Sequence, residues 1–405
     1  MRENTKNMFR QDLLLDYHKN MKNNLIIISP YPKTTKYSHV LSALASFNKN
    51  LVDKLKTRYN LVILADNENK KDHAVKTWEK NDFFNYFKLV KAIVGYKNSQ
   101  NILIQFEWVV FGRNIFFVGF FPVFLLALKL LGKKTHVVLH GVNFDFKPIF
   151  GTGLKTKLLN TGSYVFYSLV CLLTRKIIVT ENHFKKQLLK LPFTENKVIF
   201  IPHGVDTLFK KQNKKNFKKI NLGYFGFLHP YKGPKLLLDL FTTINYGEYS
   251  LTFFGGESPN LMKNKDYQTY MKNFYLNAKK LGVKITGFVE ENKLGKYFNE
   301  VDLVIFPYHS FISSSGMLAM TFSFEKPFIL SRPMIGYFDS PDFSEALKET
   351  GFKKEDFIFD FNQESFEYRL NWARKNLTQL VNFSRIMKEK RDWKKISKQY
   401  ETLLK

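Results

Sequence analysis

The chain has 405 residues, with 63 Lys and Arg against 35 Asp and Glu and a formal net charge of +28. Apolar residues make up 44% of it and Phe alone contributes 42 residues, which excludes a disordered chain and predicts large cores. The length predicts two domains with a cleft between them. The charge predicts an anionic partner, such as a nucleic acid, an anionic lipid surface or a phosphorylated substrate, although scattered lysines on a solvated surface explain it equally well.

The apolar stretches and the cysteine content bear on the subcellular location of the protein. Residues 1–23 lack the continuous apolar core of a secretory signal, so we predict an N-terminal extension. The apolar stretches 114–128 and 158–174 are too short or too polar to cross a bilayer, and are predicted to be core helices or a face that touches a membrane. Cys171 is the single cysteine, which excludes a disulfide framework. We expect a cytoplasmic protein or one peripheral on the cytoplasmic membrane face.

Short β-branched runs alternate with helical patterns, which is typical of βαβ units and parallel sheets. The predicted strands are NLIIISPYP, YNLVILAD, NILIQFEW, THVVLHG, RKIIVTEN and KVIFIPHG in the first half, and INLGYFGF, YSLTFFGG, VKITGF, VDLVIFPY and KPFILS in the second. We therefore predict an α/β fold of two doubly wound, Rossmann-like domains. They cover residues 24–205 and 219–375, with a lysine-rich linker at 206–218 and a helical segment at 376–405.

Ligands of parallel α/β sheets bind beyond the carboxyl ends of the strands, so the residues after each predicted strand are candidates. Glu107 follows the third strand, where a carboxylate serves as a base or holds a hydroxyl, or simply pairs with a lysine. His140 and Gly141 end the fourth strand. A histidine there orients an acceptor or binds a phosphate, unless it only caps a turn.

The turn GFLHPYKG follows the first strand of the second half. Gly226 allows a tight exit from the strand, Lys232 places a cation near the next helix, and Gly233 lets the backbone approach a ligand closely. The pattern predicts a phosphate site, with an ordinary βα turn as the alternative.

A run of small residues, Ser313 to Gly316, precedes a later helical pattern in the second half. Consecutive small residues at a helix start expose backbone N–H groups that suit a diphosphate, whereas plain serine capping is the alternative. No D-x-D pair, P-loop or H-E-x-x-H motif occurs, so neither a metal nor a cofactor is expected.

In this order the motifs resemble the retaining GT-B glycosyltransferases of glycosyltransferase family 4, the group 1 glycosyltransferases. The resemblance covers nearly the whole chain after residue 24 and rests on SPYP, IQFEWVVFG, VVLHG, IIVTEN, KVIFIPHGVD, FGFLHPYKG, VDLVIFPY and SSSGMLAM through KPFILS. It implies two domains facing across a cleft, an acceptor site in the first and a nucleotide-sugar site in the second. It also implies that residues 376–405 form a helix that crosses back over the first domain.

The resemblance assigns roles to the candidate residues. Lys232 would hold the donor diphosphate, and His140, near the reaction centre, is predicted to be catalytic together with Lys232 and Glu107. The remaining predicted donor-binding residues are Gly226, His229, Gly233, Ser314, Ser315, Gly316 and Met317. The predicted acceptor-binding residues are Ser38, His39, His140 and Gly141.

Three departures from the family pattern concern the donor site. The two glutamates that members commonly carry are replaced by Ile312 and Met320, and a second basic residue by Phe227. The glycine-rich loop after the first strand is replaced by KTTKYSH. Donor contacts must therefore differ from the usual set, or activity has been lost.

The sequence thus predicts a metal-independent glycosyltransferase that moves a sugar from a UDP- or GDP-sugar to a glycan or lipid-linked acceptor with retention. The resemblance suggests cell-surface polysaccharide or glycolipid synthesis at an anionic membrane surface. The alternatives are an impaired GT-B protein that binds a sugar nucleotide or partners an active transferase, and a sugar-nucleotide epimerase. A nucleic acid partner is not expected, because the basic residues form no arginine-rich helix.

Overall fold

The structure is a computed structural model that describes residues 24–32, 43–112, 115–206, 219–244, 247–259, 261–290 and 293–405. The predicted N-terminal extension 1–23, the linker beyond Asp206, and the predicted acceptor residues Ser38 and His39 lie outside the described residues.

The first domain is built on a seven-stranded parallel sheet in the order β3-β2-β1-β4-β5-β6-β7. Its strands are nearly continuous apolar runs, as expected of a sheet covered on both faces. They are β1 (Asn24–Ile28), β2 (Asn60–Ala65), β3 (Ala74–Lys76), β4 (Asn101–Phe106), β5 (Lys134–Leu139), β6 (Lys176–Val179) and β7 (Val198–Phe200).

Six helices belong to the described part of this domain. They are α1 (Ala43–Leu55), α2 (Asn85–Gly95), α3 (Ile115–Leu130), α4 (Lys147–Phe150), α5 (Leu154–Leu173) and α6 (Asn182–Leu188). Right-handed crossovers place α2, α3 and α5 on one side of the sheet and α1 on the other. On their shared side α3 packs against both α2 and α5.

The second domain repeats this plan with a six-stranded parallel sheet in the order β10-β9-β8-β11-β12-β13. Its strands are β8 (Ile220–Phe225), β9 (Tyr249–Phe254), β10 (Lys284–Ile285), β11 (Leu303–Phe306), β12 (Phe328–Ser331) and β13 (Ile358–Phe359). Aromatic rings fill its core, with Phe225 stacked on Phe298 at 4.0 Å between centroids. The prediction of two Rossmann-like α/β domains is confirmed.

The helices of the second half complete this domain and return to the first. They are α7 (Pro234–Phe241), α8 (Lys265–Lys280), α9 (Leu294–Glu300), α10 (Gly316–Ser323), α11 (Pro341–Thr350), α12 (Gln363–Lys375), α13 (Leu377–Lys390) and α14 (Trp393–Leu403). No helix within the described ranges is long and apolar enough to cross a membrane.

The C-terminal segment differs from the expected single helix. Helix α13 packs on α10 and α11, because Leu380, Phe383 and Met387 are buried in the second core. Only α14 crosses to the first domain, where it packs on α1 and buries Tyr400. The boundary lies at Asp392, whose side chain accepts a hydrogen bond from Lys394 N at 2.6 Å and begins a new helix.

A buried arginine lies at the junction of the two domains, where the chain turns from α13 into α14. Arg391 is 2% exposed, and its Nε donates to Asp342 Oδ2 of α11 at 2.6 Å. On its other side lies Glu181 of the first domain, 1% exposed, with its Oε2 at 3.9 Å from Arg391 Nη2. Asp342 is hydrogen-bonded to the guanidinium and Glu181 is not, so one positive charge is balanced by one carboxylate.

Glu181 is the carboxyl group of this cluster that is not hydrogen-bonded to Arg391. Burial raises the pKa of Glu181 to about 8, more than Arg391 and a hydrogen bond from Ser314 lower it, and the charge of Asp342 raises it further. We conclude that Glu181 is largely neutral near pH 7, while Arg391 and Asp342 form the ion pair.

Replacing Arg391 by Met should leave Asp342 without its partner at the domain junction. Loss of one member of a buried pair costs about 3–5 kcal/mol, so Arg391→Met should lower the free energy of unfolding by that amount in a urea titration. The matched control is Arg385→Met in α13, where the arginine is exposed and bonds only Asn382 among the described residues. Equal losses in the two variants would contradict the assigned role of Arg391.

The raised pKa of Glu181 makes stability depend on pH in a stated direction. Between its ordinary value of 4.5 and about 8 the folded chain holds a proton that the unfolded chain has lost, so stability falls as pH rises through this window. Glu181→Gln should remove this dependence, up to about 1.4 kcal/mol per pH unit. The measurement is the thermal midpoint of both proteins from pH 5 to pH 8.

The control is Glu195→Gln, which changes an exposed glutamate of the same domain and should leave the pH dependence unaltered. If Glu181 were instead ionised and paired with Arg391, Glu181→Gln would destabilise the protein across the whole range without flattening the curve.

Candidate functional site

The candidate residues lie where the carboxyl ends of the two sheets face each other. In each sheet the order of the strands reverses at the first strand, between β1 and β4 and between β8 and β11. Ligands of doubly wound sheets bind outside this reversal point. Gly226 follows β8, Glu107 follows β4, and His140 follows the neighbouring β5.

The turn after β8 is a short 3-10 helix, Pro230–Lys232, that positions the lysine. His229 caps it by accepting a hydrogen bond from Tyr231 N at 3.3 Å. Gly233 ends it with φ of +67°, and a Cβ on Gly233 would stand 1.9 Å from the carbonyl oxygen of Pro307. Only glycine fits this position. The contact of Gly233 with the residue after β11 therefore fixes the backbone position of the adjacent Lys232.

The ammonium group of Lys232 points to the reversal point of the second sheet. A Cβ on Gly226 would lie 3.5 Å from both Lys232 Nζ and Met317 Cγ. The same ammonium lies 5.6 Å from the centre of the Tyr308 ring. Burial lowers the pKa of Lys232, but the hydroxyls of Tyr308 and Tyr231 and the charge of Glu107 outweigh this and raise it overall. Lys232 is therefore a fixed cation.

Helix α10 begins next to this ammonium. Its cap Ser315 accepts from Leu318 N at 3.3 Å, and Ser315 N donates to the Tyr337 hydroxyl at 2.7 Å. Across the described part of the chain the N–H groups of Gly316 and Met317 have no hydrogen-bond partner. These two donors lie at the positive end of the helix dipole, beside a lysine, which suits an anionic ligand.

Ser314 is occupied by the first domain and is not available as a backbone donor. Its N–H donates to the carbonyl oxygen of His140 at 2.9 Å, and its hydroxyl is hydrogen-bonded to that of Thr180. Of the four residues predicted to bind the donor at this helix start, Ser314 and Ser315 therefore use their N–H groups within the protein. Gly316 and Met317 keep theirs open.

His140 is placed at the cleft, but its ring is engaged inside the first domain. Its Nε2 is hydrogen-bonded to Gln105 Oε1 at 2.8 Å. The Phe47 and His140 rings pack in a T-shaped arrangement with 4.8 Å between their centroids. Burial, with a smaller contribution from His203, lowers the pKa of His140 to about 3. The imidazole is thus neutral, and Nδ1 is the atom left for a ligand.

The two domains touch directly at Gly141. A Cβ on Gly141 would lie 2.4 Å from the carbonyl oxygen of Ile312 and 3.2 Å from Ser313 Cα. Together with the hydrogen bond from Ser314 N to His140 O, this contact forms the floor of the cleft. Gly141 therefore allows close approach of the two backbones.

Glu107 follows β4 on the first-domain side and is near enough to Lys232 for the two charges to interact. Burial raises the pKa of Glu107, although the positive charges of Lys232 and Lys80 oppose the shift. The carboxylate of Glu107 and the ammonium of Lys232 thus influence each other across the interdomain space. A carboxyl group so placed can exchange a proton or hold a hydroxyl.

The remaining predicted residues line the edges of this arrangement. The His229 ring packs edge-on against Tyr231 at 4.5 Å, and burial together with Lys232 lowers the pKa of His229 to about 4. Ile312 and Met320, where the sequence resemblance would have placed glutamates, are half-buried. Phe227, at the position of the second basic residue, stacks on Phe288 at 6.3 Å. The described residues contain no group of three or more His, Cys, Asp or Glu that could hold a metal ion.

Three residues were missed by the sequence reasoning. Tyr308 follows the strand β11, so the rule that selected Glu107 would also have found it. Gln105 lies within β4 and is recognised only when the pairing of β4 with β5 is known. Glu181 follows β6 and lies behind Ser314, and its partner Arg391 is too distant in sequence to be paired with it by inspection.

Comparison with known proteins places this geometry in context. The sequence model of the family described as "Glycosyl transferases group 1" matches residues 205–332, which contain Lys232 and the start of α10. A search of curated protein sequences finds no match.

Solved structures match over nearly the whole chain. Sucrose-phosphate synthase from Thermosynechococcus elongatus superposes with a TM-score of 0.69 at 12% identity, covering 94% of this chain and 98% of that one. Alr3699/HepE of Anabaena in complex with UDP and glucose gives 0.65 at 13%, covering 95% and 99%. An alpha,alpha-trehalose-phosphate synthase (UDP-forming) from Burkholderia vietnamiensis gives 0.64 at 9%, covering 95% and 99%. The chain has the GT-B fold of glycosyltransferases, and its second domain carries the match to the group 1 family.

Proposed function

We propose that this chain is a retaining glycosyltransferase that transfers a sugar from a UDP-sugar to a glycan or lipid-linked acceptor. The observation that carries the proposal is that three groups lie within electrostatic reach of one another at the cleft. These are the ammonium of Lys232, the two open N–H groups at the start of α10, and the carboxyl of Glu107 from the opposite domain.

This arrangement suits a nucleotide diphosphate as leaving group. Breaking the bond between sugar and diphosphate builds negative charge on the phosphate oxygens. Lys232 and the N–H groups of Gly316 and Met317 are fixed before the reaction, so they stabilise that charge without reorganisation. A metal ion is not needed for this step, and we propose that none takes part. A UDP-sugar is favoured over a GDP-sugar because UDP or UDP-glucose is bound in the HepE structures.

The first domain would provide the acceptor side. Glu107 has a raised pKa and interacts with the charge of Lys232, so it is the group we assign to the acceptor hydroxyl or to the transferred sugar. His140 contributes its backbone to the domain contact and its Nδ1 to the cleft. Retention of configuration, family 4 membership and a role in cell-surface polysaccharide or glycolipid synthesis rest on the sequence resemblance.

A second candidate is a GT-B protein that binds a sugar nucleotide without transferring the sugar. It is favoured by Ile312 and Met320, because apolar side chains at these positions cannot bond the hydroxyls that the family's glutamates hold. Nucleotide binding with no transfer to any acceptor would support this alternative.

Lys232→Ala should abolish nucleotide binding. Saturating UDP at a hundred times its dissociation constant stabilises the wild type by about 2.7 kcal/mol, a rise in thermal midpoint of roughly 5–10 °C for a domain of this size. Lys232→Ala should lose this shift, since the fixed cation is removed from the phosphates. The matched control is Lys235→Ala, which removes an exposed lysine three residues later that pairs with Asp239. The panel includes GDP and ADP, and no shift with any nucleotide in the wild type would refute the donor site.

Glu107→Gln should separate binding from chemistry. The isosteric amide keeps the shape of the cleft and cannot exchange a proton, so transfer should fall by about 10²–10⁴-fold. The UDP-induced shift in thermal midpoint should stay unchanged. The readout is release of UDP from UDP-sugars with and without acceptor, with Glu79→Gln, an exposed glutamate of the same domain, as the control. Full activity of Glu107→Gln would remove Glu107 from the mechanism, and product formed without acceptor would indicate an epimerase.

A further inference from the structure

The outer surface of α3 is apolar along its whole length. Its exposed stripe follows helical spacing, and the opposite side of the helix is buried against the sheet. No charged residue occurs from 115 to 128. The exposed members of the stripe are Ile115, Phe116, Phe120, Val123, Leu126 and Leu130.

The neighbouring helices extend this surface on both sides. Helix α5 packs beside α3 and has no charged residue from 158 to 173. Helix α2 and the turn before it lie on the other side, where Phe83 is 5.3 Å from Phe117 between ring centroids. Further exposed side chains of this surface are Phe83, Phe84, Phe87, Leu154, Leu158, Val165, Leu169 and Leu172. We call the outer surface of α3 and α5, together with the start of α2, the apolar face; beyond Phe87, α2 exposes Lys88 and Lys91.

The apolar face holds an unusual share of the molecule's exposed hydrophobic side chains. Of the 28 large hydrophobic residues exposed in the described chain, the fourteen named above belong to the apolar face. The second domain, in contrast, exposes six. Soluble monomers rarely expose contiguous apolar patches of more than a few hundred Å², and larger ones mark interaction sites.

The charges around this face have one dominant sign. Residues 83–175 contain eleven Lys or Arg and two acidic residues, Glu107 and Asp145. Exposed lysines stand at the ends of the apolar stripes, with Lys155 and Lys157 at the start of α5 and Lys129 near the end of α3. An apolar centre with a basic rim is complementary to acyl chains below anionic phosphates.

The apolar face adjoins the cleft. Helix α3 follows the loop that carries Glu107, and α5 follows the connection from His140. In a parallel sheet each crossover helix runs back from the carboxyl edge, so the first turns of α3 and α5 lie beside the candidate site. A surface bound there would lie next to the mouth of the cleft.

We propose that the apolar face docks the protein on an anionic lipid bilayer, with α3, α5 and the start of α2 lying in the plane of the interface. A bilayer is favoured over a second copy of the chain, because two copies would bring two basic rims together. It is favoured over another protein because lysine is depleted at protein interfaces and favoured at lipid phosphates. Docking goes beyond the proposed sugar transfer and does not depend on it.

The test is co-sedimentation of the full chain with vesicles in the absence of nucleotide. Wild-type protein should bind phosphatidylcholine vesicles that contain phosphatidylglycerol, and bind pure phosphatidylcholine at least about tenfold more weakly. The triple variant Phe116→Ser, Phe120→Ser and Val123→Ser should lose at least about tenfold in binding. These side chains are 56%, 55% and 58% exposed, so their replacement should leave the fold intact.

Two matched controls separate docking from general stickiness. Met262→Ser, Leu276→Ser and Tyr368→Ser remove three exposed hydrophobic residues of the second domain and should leave vesicle binding unchanged. Lys155→Glu with Lys157→Glu should weaken binding to anionic vesicles, whereas Lys279→Glu with Lys280→Glu on α8 should not. Lys232→Ala should bind vesicles normally, so failure of the nucleotide site and failure of docking are distinguishable.

Failure of the wild type to bind anionic vesicles would overturn the proposal, as would equal binding by the two triple variants. The molar mass from light scattering decides between a bilayer and a second copy of the chain as the partner of the apolar face. A dimer that dissociates in the Phe116, Phe120 and Val123 variant, without vesicle binding by the wild type, would assign the face to a second copy.

Discussion

The two domains meet beside a buried guanidinium, whose charge is balanced inside the second domain. Arg391 stands where the chain leaves the second domain, and burying its charge requires a carboxylate at hydrogen-bonding distance, which Asp342 provides. The same guanidinium faces Glu181 from the first domain, so the two halves meet at a point where a displaced charge would be costly. Because Glu181 is hydrogen-bonded with Ser314, the junction also fixes the loop that leads into α10.

From this junction the cleft follows. With the α10 loop held, the N–H of Ser314 donates to the carbonyl oxygen of His140, which brings the end of the first sheet against the loop that leads into α10. Glu107 is then near enough to Lys232 for the two charges to interact. Burial raises the pKa of the Glu107 carboxyl, and the pKa of the Lys232 ammonium is also raised, in part by the charge of Glu107.

Much of the fold could be predicted from the sequence, because hydrophobic periodicity is a local signal. All eleven predicted strands are present. The two that were missed, β3 and β13, have three and two residues and lie away from the centres of their sheets, where a short run carries no clear pattern. Helix α13 was assigned to the wrong partner, since an amphipathic pattern shows which side of a helix is buried but not against which domain.

The candidate site was predictable in location and less so in detail. Strand ends identified Glu107, His140 and Lys232 as neighbours of the cleft. Sequence could not show that His140 bonds Gln105, or that the N–H groups of Ser314 and Ser315 are used inside the protein, because these contacts depend on strand pairing and domain docking. Because Nε2 of His140 is hydrogen-bonded to Gln105, only Nδ1 of the ring remains to bond a ligand.

Gly141 has a consequence for how the molecule could be altered by design. At this position the backbone of one domain rests against the backbone of the other, with no room for a side chain between them. Any side chain at residue 141 would push the two backbones apart, and a longer side chain would separate them further. A series of substitutions from alanine to leucine at residue 141 would therefore increase the separation of the two domains in steps.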